Sequence, residues 1–354
     1  MNIQEAKQFL DKVISKSRVH LYKPIQVAEI LFRDRIEKDI NLTNLETYRN
    51  PSKKWRDTIC LQFLGRTSTS SARYQDDIFN ENAIPPSVLE CLGKENRLKN
   101  GIVEAYIYKR FAERFSQMSS ALAYCKEKDK NSFQLNEFIA LFRAEAGLKR
   151  SIDKIYEIIV YALFSAITDA IELSIEVSYN PEKVNLLTDF QDFAENILSL
   201  NKDQSSFKTK AKIYRVGVTN AADRGLDMWA NFGLAIQIKH LSLSEELAEN
   251  IVSSVTADRI VIICKSAEQK IIVSLLNQIG WKSKIQAIVT ETDLLNWYEK
   301  ALRGEHKNLL GDKILETLNS EIQTEFPTTE NQEFENFYQS RGYHKLTDKV
   351  WITH

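Results

Sequence analysis

The stretch GLDMWANFGLAIQIKHL, residues 225–241, decides the fold. Its middle, Asn231-Phe232-Gly233, has the composition of a three-residue hairpin loop, with glycine where the backbone must turn left-handed. A turn there pairs Ala230 with Leu234, Trp229 with Ala235, Met228 with Ile236 and Asp227 with Gln237. Side chains alternate along a strand with period two, so Gln237 and Lys239 share a face. Asp227, opposite Gln237, joins them, with Lys239 on the diagonal. A carboxylate, an amide and an ammonium thus converge on one patch of sheet. Met228, Ile236 and Ile238 turn to the other face and should pack against helices. His240 also points away from the patch and reads as structural.

The plain alternative is a half-exposed hairpin in which Asp227 and Lys239 form a modest cross-strand ion pair. The next two segments of the chain argue against it. An amphipathic helix spans 244–254, opened by Ser242 and Ser244 with Glu245 and Glu246 in its first turn. Then comes RIVIIC, residues 259–264, a short apolar run of the kind buried on both faces. That order places the Lys239 strand inside a sheet, where a lysine needs a carboxylate, a metal shell or a phosphate as partner. Outward from this centre, we expect a helix at 188–200, a polar link at 201–210 and a strand at 212–218. Beyond RIVIIC we expect a helix at 267–279, a strand at 285–290 and a helix at 292–303. The whole describes a mixed α/β sheet sandwiched by helices.

The first part of the chain reads as mostly helical. Apolar groups recur at helical spacing after Pro24, from 100 to 126 and from 148 to about 172. The segment from Tyr48 to Pro86 lacks periodicity and reads as an exposed loop region with short helical pieces. It carries Arg49, Lys53, Lys54, Arg56, Arg66 and Arg73 around a Ser/Thr run, which suits phosphate and base-edge contacts, Arg66 and Arg73 being the base-contact candidates. A solvated basic connection is the bland reading of the same composition. Charge divides along the chain in a matching way. Of 47 Lys and Arg and 48 Asp and Glu, residues 1–150 hold 26 and 19, leaving the remainder acidic. A phosphate-gripping part joined to a metal-holding part would give that asymmetry.

Composition excludes several classes. With 354 residues, 43% hydrophobic, the chain can bury one or two cores unaided. Its four cysteines (Cys60, Cys91, Cys125, Cys264) form no C-x-x-C pair, which suits free thiols in a reducing cytoplasm and argues against structural zinc. The charged N-terminus has no signal-peptide pattern, and no apolar run approaches membrane-spanning length, so we expect a soluble cytoplasmic protein. No phosphate-binding G-x-x-x-x-G-K-[ST] loop exists, so no nucleotide cofactor is expected. Five histidines without ligand spacing do not support a zinc or HNH nuclease. Gly101-Ile102-Val103 with Tyr106-Ile107-Tyr108 only faintly echoes a GIY-YIG nuclease, since the spacing is too short and the segment helical. Tyr179-Asn180-Pro181 resembles an amino-methyltransferase motif but lacks the glycine-rich cofactor loop.

Asp227, nine intervening residues and then Gln237-Ile238-Lys239 resemble the PD-(D/E)xK nuclease signature, on the strand order that superfamily uses. The longer stretch RGLDMWANFGLAIQIKHLSLSEE, together with LYKPIQVAEIL near the N-terminus, resembles the HaeII family of type II restriction endonucleases over most of the chain. Gly225-Leu226 stands where the superfamily label has proline. Gln237 replaces the usual second carboxylate; its oxygen can still meet a metal, but without charge. The resemblance implies a Mg²⁺-dependent endonuclease that cuts double-stranded DNA at RGCGCY, leaving 3′ overhangs, as a homodimer with one active site per strand. It also implies that Asp227, Gln237 and the Ile238 carbonyl hold the metal and that Lys239 serves the attacking water. An upstream acid often completes such sites; Glu195 is the candidate, with Glu176 behind it. On this reading, 1–150 is a helical, basic DNA-recognition region and a candidate for dimerisation. Residues 151–320 are the nuclease core, and 321–354 are a tail packing on that core. Two other readings stay open: a DNA-binding or assembly protein whose nuclease core has decayed at Gln237, and a repair or junction nuclease of the same superfamily.

Overall fold

A computed structural model describes the chain except for residues 18–19, 69–76, 145–147, 149–150, 217–225, 256, 269–273, 275–283, 327–330 and 353–354. Among the described residues seven helices come first: α1 Ile3–Lys16, α2 Tyr22–Ile36, α3 Pro51–Leu64, α4 Pro86–Leu98, α5 Ile102–Glu127, α6 Leu135–Ala144 and α7 Ile152–Ala170. Strand β1 Ser174–Ser178, helix α8 Val184–Asp189 and strands β2 Ser206–Lys210 and β3 Ile213–Arg215 follow. Then come β4 Met228–Ala230, β5 Leu234–Ser242, α9 Glu245–Ser254, β6 Arg259–Ser266 and β7 Ile285–Thr290. Helices α10 Glu291–Arg303, α11 Lys307–Glu325 and α12 Asn331–Ser340 close the chain. Two units result, Met1–Ile155 with Thr317–His354, and Tyr156–Val216 with Arg224–Glu316. The α/β class expected from the sequence is the one observed, a helical first half followed by a mixed sheet with helices.

In the first unit, α1 opens with a capping box, Asn2 and Glu5 each accepting the other's backbone N–H. Two expectations are corrected here. The region from Tyr48 to Pro86 holds more than short helical pieces, because α3 fills 14 residues of it. The inner face of α3 carries Ser52 and Arg56 beside Ile59, Cys60, Phe63 and Leu64, so two buried polar residues hide its helical periodicity. The C-terminal segment, expected as a tail on the sheet-bearing core, groups with the helical unit. Tyr343, Trp351 and Ile352 belong to the helical unit's core, with Phe334 and Phe337 packed against it. Phe337 meets Phe63 and Tyr108 edge-on, with ring centroids 5.0 and 4.9 Å apart. Scattered aromatics among acids gave this tail its weak pattern, yet the aromatics carry the packing.

Polar groups lock the same tail in place. Glu104, fully buried, accepts two hydrogen bonds of 2.9 Å from Arg35, one of 2.6 Å from Asn96 and one of 2.5 Å from the Tyr343 hydroxyl. Glu29 accepts from the Tyr108 hydroxyl and from Arg341 at 2.6 and 3.0 Å, while the Arg341 guanidinium lies over the Phe32 ring at 3.8 Å. Burial pushes the Tyr343 and Tyr108 phenols well above their ordinary range, so both remain donors. Glu104→Ala strands Arg35 without its counter-charge and should cost about 3–5 kcal/mol. A denaturant titration checks this; a midpoint within experimental error of the parent would mean the network adds nothing.

The second unit holds two sheets. β1 and β2 form an antiparallel ribbon, and the other five strands run in the order β3-β4-β5-β6-β7. β2 falls in the segment read as a polar link; it was missed because its residues are mostly exposed and show no apolar alternation. The helix expected at 188–200 is instead the broken helical run from Val184 to Leu198. The helix expected at 267–279 lies largely outside the described residues. In the main sheet, β3, β4 and β5 pair antiparallel, while β5, β6 and β7 run parallel. The α9 connection between β5 and β6 is what a parallel pair requires. Ser244 caps α9 by accepting from Leu247 N–H at 3.2 Å. One sheet face, carrying Ala235, Ile260, Ile262 and Cys264, packs under Ala248, Ile251 and Val252 of α9. Met228, Ile236, Ile238, Val261 and Ile263 turn to the other face, all buried. α10 packs against β6 and β7, and its Tyr298 hydroxyl donates to the Ile159 carbonyl of α7 at 2.8 Å.

The four cysteines are unpaired thiols, with Cys60 and Cys264 pushed up to about 12 and about 11 by burial. Among the described residues, no helix is long and apolar enough to cross a membrane.

Candidate active site

The hairpin turns at 231–233, and Gly233 takes φ +82°, a left-handed backbone that other residues adopt at a cost. β4 and β5 pair as Met228 with Ile236, Trp229 with Ala235 and Ala230 with Leu234, the register that the loop composition implied. Asn231 fastens the turn to the preceding strands. Its side chain accepts from Lys212 N–H at 2.8 Å and donates to the Lys210 carbonyl at 3.0 Å. β5 is flanked by β4 and β6 and is therefore an interior strand.

Asp227 stands just before β4, where its carbonyl accepts from Val216 N–H at 3.0 Å and extends the β3–β4 pairing. Its Oδ2 is the meeting point of three groups from β5. The Gln237 amide donates to it through Nε2, the Ile238 N–H donates at 2.7 Å, and Lys239 Nζ lies 4.0 Å away. Gln237 is 2% exposed, so its amide would be costly without that acceptor. Lys239, with a third of its side chain exposed, reaches from the same face toward solvent. The β5–β6 register shifts just after Lys239, between the Lys239–Cys264 and Ser242–Ser266 pairs. Such an irregularity bends a strand and re-aims the side chains around it.

Other assigned residues fall elsewhere. Glu195 is exposed and accepts from Gln191 Nε2 at 2.8 Å. Glu176 is exposed on β1, 3.9 Å from Lys208. Neither makes a hydrogen bond or ion pair with Asp227, Gln237 or Lys239 among the described residues. Arg56 is 2% exposed and held by Asp57 at 2.7 Å and by the Gln26 amide oxygen at 3.1 Å, so in this structure it braces a core. Arg66 donates to the Glu325 carbonyl at 3.0 Å, Arg49 lies 3.4 Å from Glu46, and Lys53 donates to Asn50 at 3.5 Å. Lys54 is exposed, and Arg73 lies outside the described residues.

Reading the sequence did not single out Tyr214 and Trp229. They are register partners on β3 and β4, their rings stacked at 4.5 Å. Two residues along from Asp227, Trp229 shares its face, so this half-exposed pair puts a flat aromatic surface beside the cluster. The available signal was the Asp-Met-Trp spacing itself. A buried pair behind the sheet was missed too: Arg215 of β3 lies 3.9 Å from Glu157 of α7.

The hard-oxygen donors here are the Asp227 carboxylate, the Gln237 amide and the Ile238 carbonyl. In a strand, a residue's carbonyl points to the same edge as its N–H, so the Ile238 carbonyl faces the Asp227 side. Among the described residues no three of His, Cys, Asp and Glu gather as a metal site. One carboxylate with two neutral oxygens fits Mg²⁺, which keeps several waters and uses few protein ligands.

A mixed sheet that brings an acid and a lysine to one face beside an interior amide is compatible with the metal-assisted hydrolases, nucleases among them. The whole chain agrees with that class. A family model described as HaeII restriction endonuclease matches residues 6–343. The chain is 61% identical over 347 residues to the type II restriction enzyme HaeII of Haemophilus aegyptius, covering 98% of this chain and 99% of that one. It is 60% identical over 352 residues to the type II restriction enzyme NgoBI of Neisseria gonorrhoeae, covering 99% and 98%. No solved structure matches it. The chain belongs to the HaeII family of restriction endonucleases: it is a type II restriction enzyme, a site-specific endodeoxyribonuclease that binds DNA.

Proposed function

We propose that this enzyme cleaves duplex DNA at RGCGCY, working as a homodimer, by Mg²⁺-assisted hydrolysis centred on Asp227, Gln237, Ile238 and Lys239. The convergence of Gln237, Ile238 and Lys239 on one oxygen of Asp227 carries the reading. Mg²⁺ held by the Asp227, Gln237 and Ile238 oxygens would supply Lewis acidity toward the scissile phosphate and the attacking water. The Ile238 N–H and the buried Gln237 fix the carboxylate in position, so little reorganisation is needed as the reaction proceeds. Lys239 projects its ammonium toward the same place, where it can orient the water and offset charge growing on the phosphate. Arg49, Lys53 and Lys54 contact phosphates in this reading, whereas Arg56 does not. A palindrome presents the same half-site on both strands, which calls for two copies related by a two-fold axis.

The test is incubation of a plasmid bearing RGCGCY sites, and one lacking them, with the protein and Mg²⁺. Discrete fragments from the first plasmid alone are expected. Binding without cleavage would point to a decayed core, and structure-selective nicking to a repair or junction nuclease.

Gln237 supplies a further expectation. Its amide now turns nitrogen toward Asp227, and a half-turn would bring Oε1 there instead. Gln237→Glu replaces that neutral oxygen by a charged one. The Mg²⁺ concentration for half-maximal cleavage should then fall on the order of tenfold, because affinity follows ligand charge. In EDTA the same variant should melt earlier than the parent, since two carboxylates face each other without a cation. An unchanged Mg²⁺ requirement would remove Gln237 from the metal shell.

A further inference from the structure

Exposed apolar surface is concentrated in one short part of the second unit. Eight of the eighteen exposed large apolar side chains among the described residues lie between Ile171 and Leu198. Four of them, Leu186, Phe190, Phe193 and Ile197, are 54–68% exposed and recur at spacings of four, three and four residues. That is the seam periodicity of helices that pack on other helices. The helical run carrying them is broken at Phe190 (φ −114°, ψ 39°), but hydrogen bonds bridge the break: Phe190 N–H donates to the Leu186 carbonyl at 3.2 Å and Ala194 N–H to the Phe190 carbonyl at 2.9 Å. Its inner face is already used, with Ala194 buried and Val184 and Leu187 half-buried. A surface helix normally shows water a polar face. This one shows water a second apolar stripe.

We propose that this stripe is the surface on which a second copy of the chain docks. The proposal rests on the palindrome reading above, which calls for two copies. Two observations on the molecule favour that occupant. The first is area. Side chains of this size and exposure offer on the order of 100 Å² each, so the four of the stripe alone supply about half of the roughly 800 Å² per partner that a stable interface buries. The second is charge. From 184 to 198 the run carries Asp189, Asp192 and Glu195 and no basic residue, while the neighbouring β2 strand carries Lys208 and Lys210. Those lysines sit 3.9 Å from Glu176 and 3.4 Å from Asp169, in exposed pairs that are weak and easily exchanged. A two-fold axis sets the acidic rim of one copy against the basic strand of the other, the self-complementarity an isologous contact needs.

The double substitution Phe190→Asp and Phe193→Asp tests this on the full chain. Sedimentation velocity at micromolar concentration should give a dimer for the parent and a monomer for the variant, with unchanged circular dichroism. Cleavage of a plasmid bearing RGCGCY should fall at least tenfold in the variant, and its residual products should be nicked circles. Should the double variant misfold, Ile197→Asp alone is expected to give the same monomer. A folded variant that still sediments as a dimer overturns the proposal, and so does a parent that is monomeric over the same concentrations. A parent that dimerises through these residues but leaves RGCGCY uncut supports the interface and sinks the substrate reading, so the two failures are separable.

Discussion

Asp227→Ala is expected to lose cleavage by at least about three powers of ten while still binding its site in Ca²⁺. Among the described residues that meet here the carboxylate is the only one with a charged oxygen, since Gln237 and Ile238 offer neutral oxygens. An electrostatic term of about 4 kcal/mol, the size for two unit charges about 4 Å apart at an effective dielectric near 20, corresponds to about that factor. Alanine should also loosen the fold locally. The Ile238 N–H and the Gln237 amide both donate to Asp227, and Gln237 is 2% exposed. Leaving such donors without an acceptor costs about 1–3 kcal/mol each. Asp227→Asn separates the two effects, because its amide oxygen still accepts from Ile238 while the charge is gone. Stability near the parent's with cleavage still lost would assign the defect to chemistry. Single-turnover cleavage and a melting curve on both variants read this out, and full cleavage by the asparagine variant would place the metal elsewhere.

The hairpin was legible because its determinants are local. Asn231-Phe232-Gly233 fixes the turn, the turn fixes the register, and period-two alternation then puts Asp227, Gln237 and Lys239 together. The interior position of β5 was legible from the apolar run of β6 that comes after it. The features that could not be read depended on distant partners. Arg56 looked like a phosphate contact because nothing in its neighbourhood shows that Gln26, thirty residues earlier, would meet it in a core. The C-terminal segment looked peripheral because Tyr343 finds Glu104, and Phe337 finds Phe63, only after the helices assemble. β1 and β2 escaped for a different reason. A ribbon exposed on both faces has no hydrophobic alternation to announce it. The outward apolar stripe at 186–197 was hidden by the same logic, since apolar residues on two faces of one helical run read as an ordinary core helix.

Lys239 should behave unlike Asp227, and the contrast is the sharper test of the site. Its ammonium lies 4.0 Å from Asp227 Oδ2, with a third of the side chain exposed. An ion pair that long and that wet contributes roughly 0–1 kcal/mol to stability. Lys239→Ala and Lys239→Met should therefore melt within a few degrees of the parent. Cleavage should nonetheless drop by about three powers of ten, because a water-excluding protein–DNA interface removes the solvent that screens the charge in the free enzyme. Lys239→Arg is not expected to restore the rate. It keeps the charge, but spreads it over a planar fork and cannot give up a proton at neutral pH. A lysine whose loss hardly touches the fold yet stops the reaction has its use in the complex with substrate. If alanine there cut at the parent's rate, Asp227 and Lys239 would be only a cross-strand ion pair, and the catalytic centre would have to be sought elsewhere in the chain.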